Sequence, residues 1–504
     1  MRKIHLVLLA IYSFLFQTGC FPDIGTVSNE EWNPSYAIPV LNDTIHLEDI
    51  LISEEDGGNS EFDPNQVLTL RYQEQAGPIY GAGLADIPPL SIPITMEQQE
   101  APVTFPSSFS LKMAHLRKGT VGYSLSNPYP EAVNVEITIQ NLKKAGQPFS
   151  WVFSIPAGAG PNNPYSQQAQ MEIENTLLDL SSGNFSTRYS AALSNSGMAV
   201  SLPPFLIELK EMEYTSIEGY FGQLPPPTFS GNLPIDFLKS WTQGEFRLEE
   251  PRIKFTFHNG FGLPIEVTTD TLSLETHIDG EIPVINDRIT DGIVLNYPGP
   301  GQAGQTISTE LTLNRSNSNL VSLIPSVPHE LKYAFTIFTN PEDNSNITNY
   351  LLDTAQLSVD IDIELPIYGS SRGFVASKIF SLDLEGTLGR LERAGIKLIA
   401  ENSFPIGAEM QGYFQDEGGQ VIDSLFSQPL RLEGAPVDDN GVVTGIQITE
   451  GTEKLDDERF SELKARARIL EMRATLETTG GGTIPVKVTK PNAIVFKLGF
   501  LAGL

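Results

Sequence analysis

Cysteine is all but missing: Cys20 is the only one in the 504-residue chain. An internal disulfide is therefore excluded, and so is any metal site built from several thiolates. Histidine is scarce as well. His5, His46, His115, His258, His277 and His329 are scattered, and none has the HExxH spacing of a zinc hydrolase. There is no GxSxG elbow, no GxxxxGK[ST] loop and no GxGxxG run opening a helix. Positive charge is short too: 32 Lys and Arg stand against 62 Asp and Glu, for a net charge of -30. A surface of that sign repels phosphate backbones, which excludes a nucleic-acid partner. After the first twenty residues no apolar run approaches the roughly 20 residues a spanning helix needs.

The N-terminus supplies what the rest lacks. Arg2 and Lys3 precede an apolar run from Ile4 to Phe16, which ends in FQTGC. This is the layout of a secretory signal, with the lone Cys at its end. The junction resembles the bacterial lipobox, with Gln17 standing where Leu is usual. The resemblance implies removal of residues 1–19, palmitate-type acylation of Cys20 and anchoring to a membrane through lipid alone. Loss of Arg2 and Lys3 would leave a mature charge of about -32. An exported chain without disulfides must be held by its hydrophobic core, and its length gives room for several domains.

Gly (43) and Pro (36) break the chain into short segments, the pattern of many turns between strands. One motif returns three times: LSNPYPEAV at Leu125, FHNGFGLPIEV at Phe257 and AENSFPIGAEM at Ala400. Apolar residues alternate before each Asn: Val121, Tyr123, Leu125; Ile253, Phe255, Phe257; Ile396, Leu398, Ala400. Alternation of period two predicts strands with one buried face. Asn127, Asn259 and Asn402 fall on the same parity, as do Tyr129, Phe261 and Phe404 two positions on. A buried amide must be hydrogen-bonded, and Asn bonds nearby backbone in Asx-turns. These six residues are therefore expected to form structural corners. The motif resembles the N-P-x bend of the water-stress and late-embryogenesis β-sandwich domains, which implies a sandwich and no activity.

The Asn residues are 132 and 143 positions apart, which is a domain-sized interval. The expected fold is all-β, with tandem β-sandwich-like modules. Its parts are a lipoprotein signal at 1–19, a short β-rich anchor-proximal region at 20–100, and modules at 101–235, 236–375 and 376–504. The third module carries one helix near 457–470. There Phe460, Leu463, Ala467 and Leu470 share a face, and Asp456 or Asp457 caps it. His258 has the opposite parity to the apolar face and should point outward. Acidic loops from Ser53, Asn340 and Val437 lack the calcium-loop spacing, so no metal and no cofactor is expected.

The stretch from Glu30 to Leu51, directly after the lipobox, resembles the opening of large uncharacterised envelope lipoproteins of Bacteroidota-type bacteria. DTI at Asp43, DTL at Asp270, DTA at Asp353 and DSL at Asp423 resemble that group's O-glycosylation sequon. The resemblance implies a cell-envelope, outer-membrane location and supplies no catalytic residues. The reading of function is a non-catalytic, membrane-anchored structural or interaction lipoprotein, with an envelope protein or glycan as partner. The alternative is a carrier that holds lipid or another hydrophobic ligand in an apolar cavity of the β modules.

Overall fold

The computed structural model describes residues 36–45, 59–106, 108–235, 243–299, 301–384 and 395–502. The signal segment and Cys20 lie outside these. The fold is all-β, built as sandwich-like pairs of antiparallel sheets. Five strands come first: β1 (Tyr36–Ile45), β2 (Asn59–Phe62), β3 (Leu68–Tyr80), β4 (Leu90–Ile94) and β5 (Gln98–Pro102). They make no sheet of their own. β4 and β5 join a first unit, β2 and β3 a second, and β1 a third. The segment expected as a separate N-terminal β region is thus dealt out among all three units.

The first unit continues with β6 (Ser110–Asn127), β7 (Val133–Lys144), β8 (Gln147–Ile155), β9 (Tyr165–Asp179), β10 (Asn184–Leu193) and β11 (Phe205–Tyr220). One layer runs β9-β6-β11-β4 and the other β8-β7-β10-β5. The layers join where β9 bends at Asn175 (φ 52°) and pairs with β7 at Leu142↔Leu178, so the sheet closes almost into a barrel. The buried Asn141 fixes that closure. Its Nδ2 donates to the carbonyls of Asp179 (2.7 Å) and Asn184 (3.0 Å), and its Oδ1 accepts from Ser186 N–H (2.6 Å).

The second unit holds β12 (Thr228–Pro234), β14 (Arg252–Asn259), β15 (Ile265–Thr276), β16 (Gly280–Pro283), β17 (Ile293–Leu295), β18 (Ile307–Leu313), β19 (Pro328–Thr339) and β21 (Gln356–Pro366). β13 (Glu245–Leu248) and β20 (Asn349–Leu352) arise in the same stretch and pair outside the unit. Helices α1 (Asp287–Asp291) and α2 (Leu320–Leu323) fill its connections. The layers are β18-β14-β21-β3 and β17-β15-β19-β12. They meet edge-to-face through Phe335, 5.4 Å from Phe255 and 5.9 Å from Phe257.

The third unit comprises β22 (Tyr368–Ser381), β23 (Gly395–Asn402), β24 (Ile406–Gln415), β25 (Val421–Ser424), β26 (Leu430–Leu432), β27 (Gln447–Lys454), α3 (Asp457–Arg466), β28 (Ile469–Thr478), β29 (Val486–Lys487) and β30 (Ile494–Ala502). Its layers are β27-β23-β30-β1 and β26-β24-β28-β22. All three units share one connectivity, and in each the last strand is flanked by a strand from the first hundred residues. The chain passes from β21 to β22 across the single residue Ile367, so β22 spans the 375/376 boundary expected from the sequence. Asp456 caps α3 by accepting from Arg459 N–H (2.8 Å), and Phe460 and Leu463 are buried. The helix ends at Arg466. Leu470, expected on its apolar face, belongs to β28 and pairs with Phe414 and Phe380.

The neighbouring units are tied by backbone. β20 leaves the second unit to pair with β11 of the first. Beside it Asn340 and Asn349, both buried, exchange amide hydrogen bonds of 2.9 and 3.0 Å, and Asn349 Oδ1 also accepts from Phe221 N–H. At the other joint Leu68 N–H donates to Val488 O, Val488 N–H to Ile367 O, and Ile367 N–H to Leu68 O. Deleting residues 36–45 should uncover β30. Hydrogen exchange should then accelerate in 494–502 and 395–402 while 110–220 keeps its protection.

The closure of the first unit should also weaken in acid. The Asp179 carboxyl lies below the usual carboxylate range because the Ser181 hydroxyl (2.6 Å) and Lys143 Nζ (3.0 Å) donate to it. A lowered folded value contributes stability above the unfolded pKa of about 4, and that contribution is lost as pH falls through the folded value. In urea melts the advantage of wild type over Asp179→Asn should be full at pH 7 and shrink steadily below about pH 4.

Candidate functional site

The three corners share one geometry. Each Asn ends a central strand, β6, β14 or β23, just before the chain crosses to the other layer as β7, β15 or β24. Asn127, Asn259 and Asn402 are all fully buried. Each Oδ1 accepts from the N–H two residues on: Tyr129 (2.8 Å), Phe261 (2.9 Å) and Phe404 (2.8 Å). Each Nδ2 donates to the carbonyl that follows the strand paired with the crossing strand. These are Pro156 after β8 (2.9 Å), Asn296 after β17 (3.0 Å) and Glu433 after β26 (2.9 Å). In the first and third corners Nδ2 also donates four residues ahead, to Glu131 O and Ile406 O (both 2.9 Å).

The aromatic residues complete the bend. Phe261 and Phe404 are buried. Tyr129 is half-buried and its hydroxyl donates to Ser201 O (2.7 Å). Backbones close in tightly here: a Cβ on Gly158 would lie 2.1 Å from Asn127 O, and one on Gly262 would lie 2.8 Å from Tyr350 O. The six residues thus form three separate corners, one per unit, and do not converge on one site.

Other clusters have chemistry of their own. His258 lies on the outer face of β14, 3.0 Å from Ser308 Oγ and 2.8 Å from Asp360 Oδ2. The row continues to Gln75, which donates to Asp360 (2.7 Å). These side chains sit on four adjacent strands of one sheet face. In the first unit, a bulge at Glu211 in β11 and the left-handed backbone of Asn175 in β9 interrupt the β9-β6-β11 layer. They shape an open groove of about 650 Å³ lined by Asp86, Glu172, Glu174, Glu211 and Glu213. Lys118, 2.8 Å from Glu213, stands among them, and among the described residues no group of three or more His, Cys, Asp or Glu is placed to hold a metal ion. In the third unit an apolar cavity of about 50 Å³ lies between Phe246, Leu248, Phe374, Leu476 and Val488.

Sequence reasoning passed over an aromatic cluster in the first unit. Tyr123 of β6 stacks on Phe153 (4.1 Å between centroids) and lies 4.8 Å from Trp151, while Gln167 of β9 donates to its hydroxyl (2.9 Å). Phe149, Trp151 and Phe153 are half-buried. The alternation in FSWVFSI reads as an ordinary strand. The available signal was its lack of any charge.

The sequence matches no protein-family model and no curated protein. Among solved structures it is similar to a protein from Parabacteroides distasonis described as secreted, at 9% identity, over 93% of this chain and 99% of that one, with a TM-score of 0.30. It is also similar to a structure from infectious bursal disease virus Gx strain, at 8% identity, over 90% of this chain and 84% of that one, with a TM-score of 0.17. Both likenesses are too slight to carry a conclusion.

Replacing Asn402 by Ala would orphan the Phe404 N–H and two carbonyls. Each orphaned buried group costs about 1–3 kcal/mol, so Asn127→Ala and Asn402→Ala should each lower the chemical stability of their own unit by at least that much. Asn259→Ala, with one fewer bond to lose, should cost less. Urea denaturation followed by hydrogen exchange in each unit checks the order.

Proposed function

We propose that this chain is an exported, lipid-anchored protein of the bacterial envelope that works by interaction and not by catalysis. The observation that carries this reading is the pair of backbone joints, which hold three units in fixed register and display their edges and loops. The lipobox-like junction at Cys20 supplies the anchor, and among the described residues no helix is long and apolar enough to cross a membrane. An outer-membrane address and tandem duplication of one module follow from the same reading, the latter on the shared connectivity and its shared Asn corner.

The carrier alternative is less favoured. Ligand pockets for hydrophobic molecules occupy about 300–1,000 Å³ and enclose most of their guest; the apolar cavity beside Phe246 holds about 50 Å³, and the apolar hollow of about 320 Å³ over Leu41, Ile399 and Leu498 lies open to solvent. The large groove of the first unit is lined by carboxylates, which disfavour an apolar guest.

Two measurements test this. Cells fed an alkyne fatty acid should label the wild-type protein and not Cys20→Ser. The full chain, extracted and examined by mass spectrometry, should release no lipid beyond the acyl groups on Cys20. A stoichiometric second lipid would replace the interaction reading with the carrier.

A further inference from the structure

We propose that the free edge of β8 is a docking site where an extended segment of a different protein adds as a further strand. The proposal rests on the interaction reading above and names its surface.

Among the described residues β8 pairs with β7 alone. Its other edge offers unpaired N–H and C=O groups at strand spacing. Native sheets protect such edges with charge, Pro, Gly or bulges. Most other outer strands here do so, as in β27 (QITEGTEK), β5 (QQEAP), β2 (NSEF) and β12 (TFSGNLP), while the uncharged β17 (IVL) and β20 (NYLL) are only three and four residues long. β8 reads QPFSWVFSI, with no charge and a Pro only at its start. Its outer face shows Val152 at 69% exposure.

The seam beside β8 is open. β9 forms the facing edge, and it pairs with β7 only near Thr176–Leu178, which leaves the side of Tyr165–Ile173 away from β6 free. Tyr123 is the floor between the two strands, stacked on β8 and hydrogen-bonded to β9. Phe149, Trp151, Phe153 and Ala169 line the seam half-buried, with Met171 at 38% exposure.

The equivalent seams elsewhere are spanned by contacts from the chain itself. In the third unit Phe426 and Leu430 press on Gly451 of β27, so closely that a Cβ there would lie 2.9 Å from the Phe426 ring. In the second unit Asn296 N–H donates to Thr309 Oγ1 (2.8 Å), bridging the end of β17 to β18.

An uncharged strand edge over an aromatic floor recognises polypeptide, because backbone pairing along β8 supplies the affinity and alternate side chains the specificity. Charge selects which polypeptide. A second copy would bring another net charge of -30 to the seam, which opposes pairing. Glu136, which accepts from Ser150 of β8 (2.9 Å), and Glu172 of β9 flank the site. The fitting partner is a segment with alternating apolar residues and neutral or basic flanks.

The test pans a display library of short random peptides against the full chain. Recovered peptides should alternate apolar residues and carry no net negative charge. Val152→Lys and Ser154→Lys alter outward side chains on the edge strand, so circular dichroism should be unchanged while affinity falls about tenfold or more. N-methylating one alternate set of peptide nitrogens should abolish binding, and methylating the other set should leave it intact, since an added strand pairs through one set only. Peptides that bind yet ignore the Lys variants and N-methylation would overturn the β8 assignment and leave the interaction reading standing. Recovery of no peptide, with no envelope protein photo-cross-linked to any unit in cells, would overturn both. A dimer in sedimentation that Val152→Lys dissociates would overturn the choice of a different protein as occupant.

Discussion

The pairing of β1 with β30 holds residue 36 against residue 502, and the rest of the architecture is nested inside it. The chain lays down one outer strand for the third unit, then two for the second, then two for the first, before it builds the units in forward order. Each closing strand, β11, β21 or β30, is received by β4, β3 or β1 respectively. No unit but the first can finish until its early strand has waited through the synthesis of everything between. Such long loops cost entropy before their contacts form, which favours slow folding and makes exposed edges a hazard on the way. The low cysteine content fits the same picture, since a wrongly paired strand is not locked by a disulfide.

Rigidity then comes from the places where one unit's backbone enters another's. β20 extends the first unit's sheet with a strand from the second. The Asn340–Asn349 amide pair keeps that joint free of unsatisfied groups although both side chains are buried. At the other joint Ile367 is the whole linker, and its N–H and C=O are both taken by Leu68 and Val488. A hinge would need those backbone groups to reach water, and the surrounding apolar side chains deny it. The units therefore present their surfaces in one fixed arrangement, which suits the interaction role proposed above.

Much of the local structure could be read from the sequence, because alternation reports one-sided burial directly. Val133, Val135, Ile137 and Ile139 are all buried, as are Ile253, Phe255 and Phe257. The N-cap of α3 was narrowed to Asp456 or Asp457, short acceptors at the head of an acidic first turn, and Asp456 takes the role. The end of the helix was not legible, because Leu470 satisfies a helical and an extended pattern alike and β24 decides between them. The partners of β1 to β5 were beyond reach for a related reason. Alternation tells which face a strand buries and says nothing about which distant strand it meets. The half-buried aromatics of β8 were hidden in the same way. Phe149, Trp151 and Phe153 alternate whether or not anything covers their seam.

The recurring Asn shows where function does not lie. An Asn amide has two donor hydrogens and a carbonyl with two lone pairs. In Asn127 and Asn402 both hydrogens go to backbone carbonyls and the oxygen takes a backbone N–H, all within the corner. With full burial added, almost nothing of the side chain is left to offer a ligand. The corners have used their polar capacity to turn the chain from one layer to the other. The interaction proposed above must be met by groups still unsatisfied at the surface, and in a β-structure those are chiefly the strand edges. Most edges here carry charge, Gly or Pro. The nine-residue uncharged edge of β8 above its half-covered aromatic floor is a longer departure from that pattern than the short β17 and β20, and it sits on a frame stiff enough to present it in one geometry.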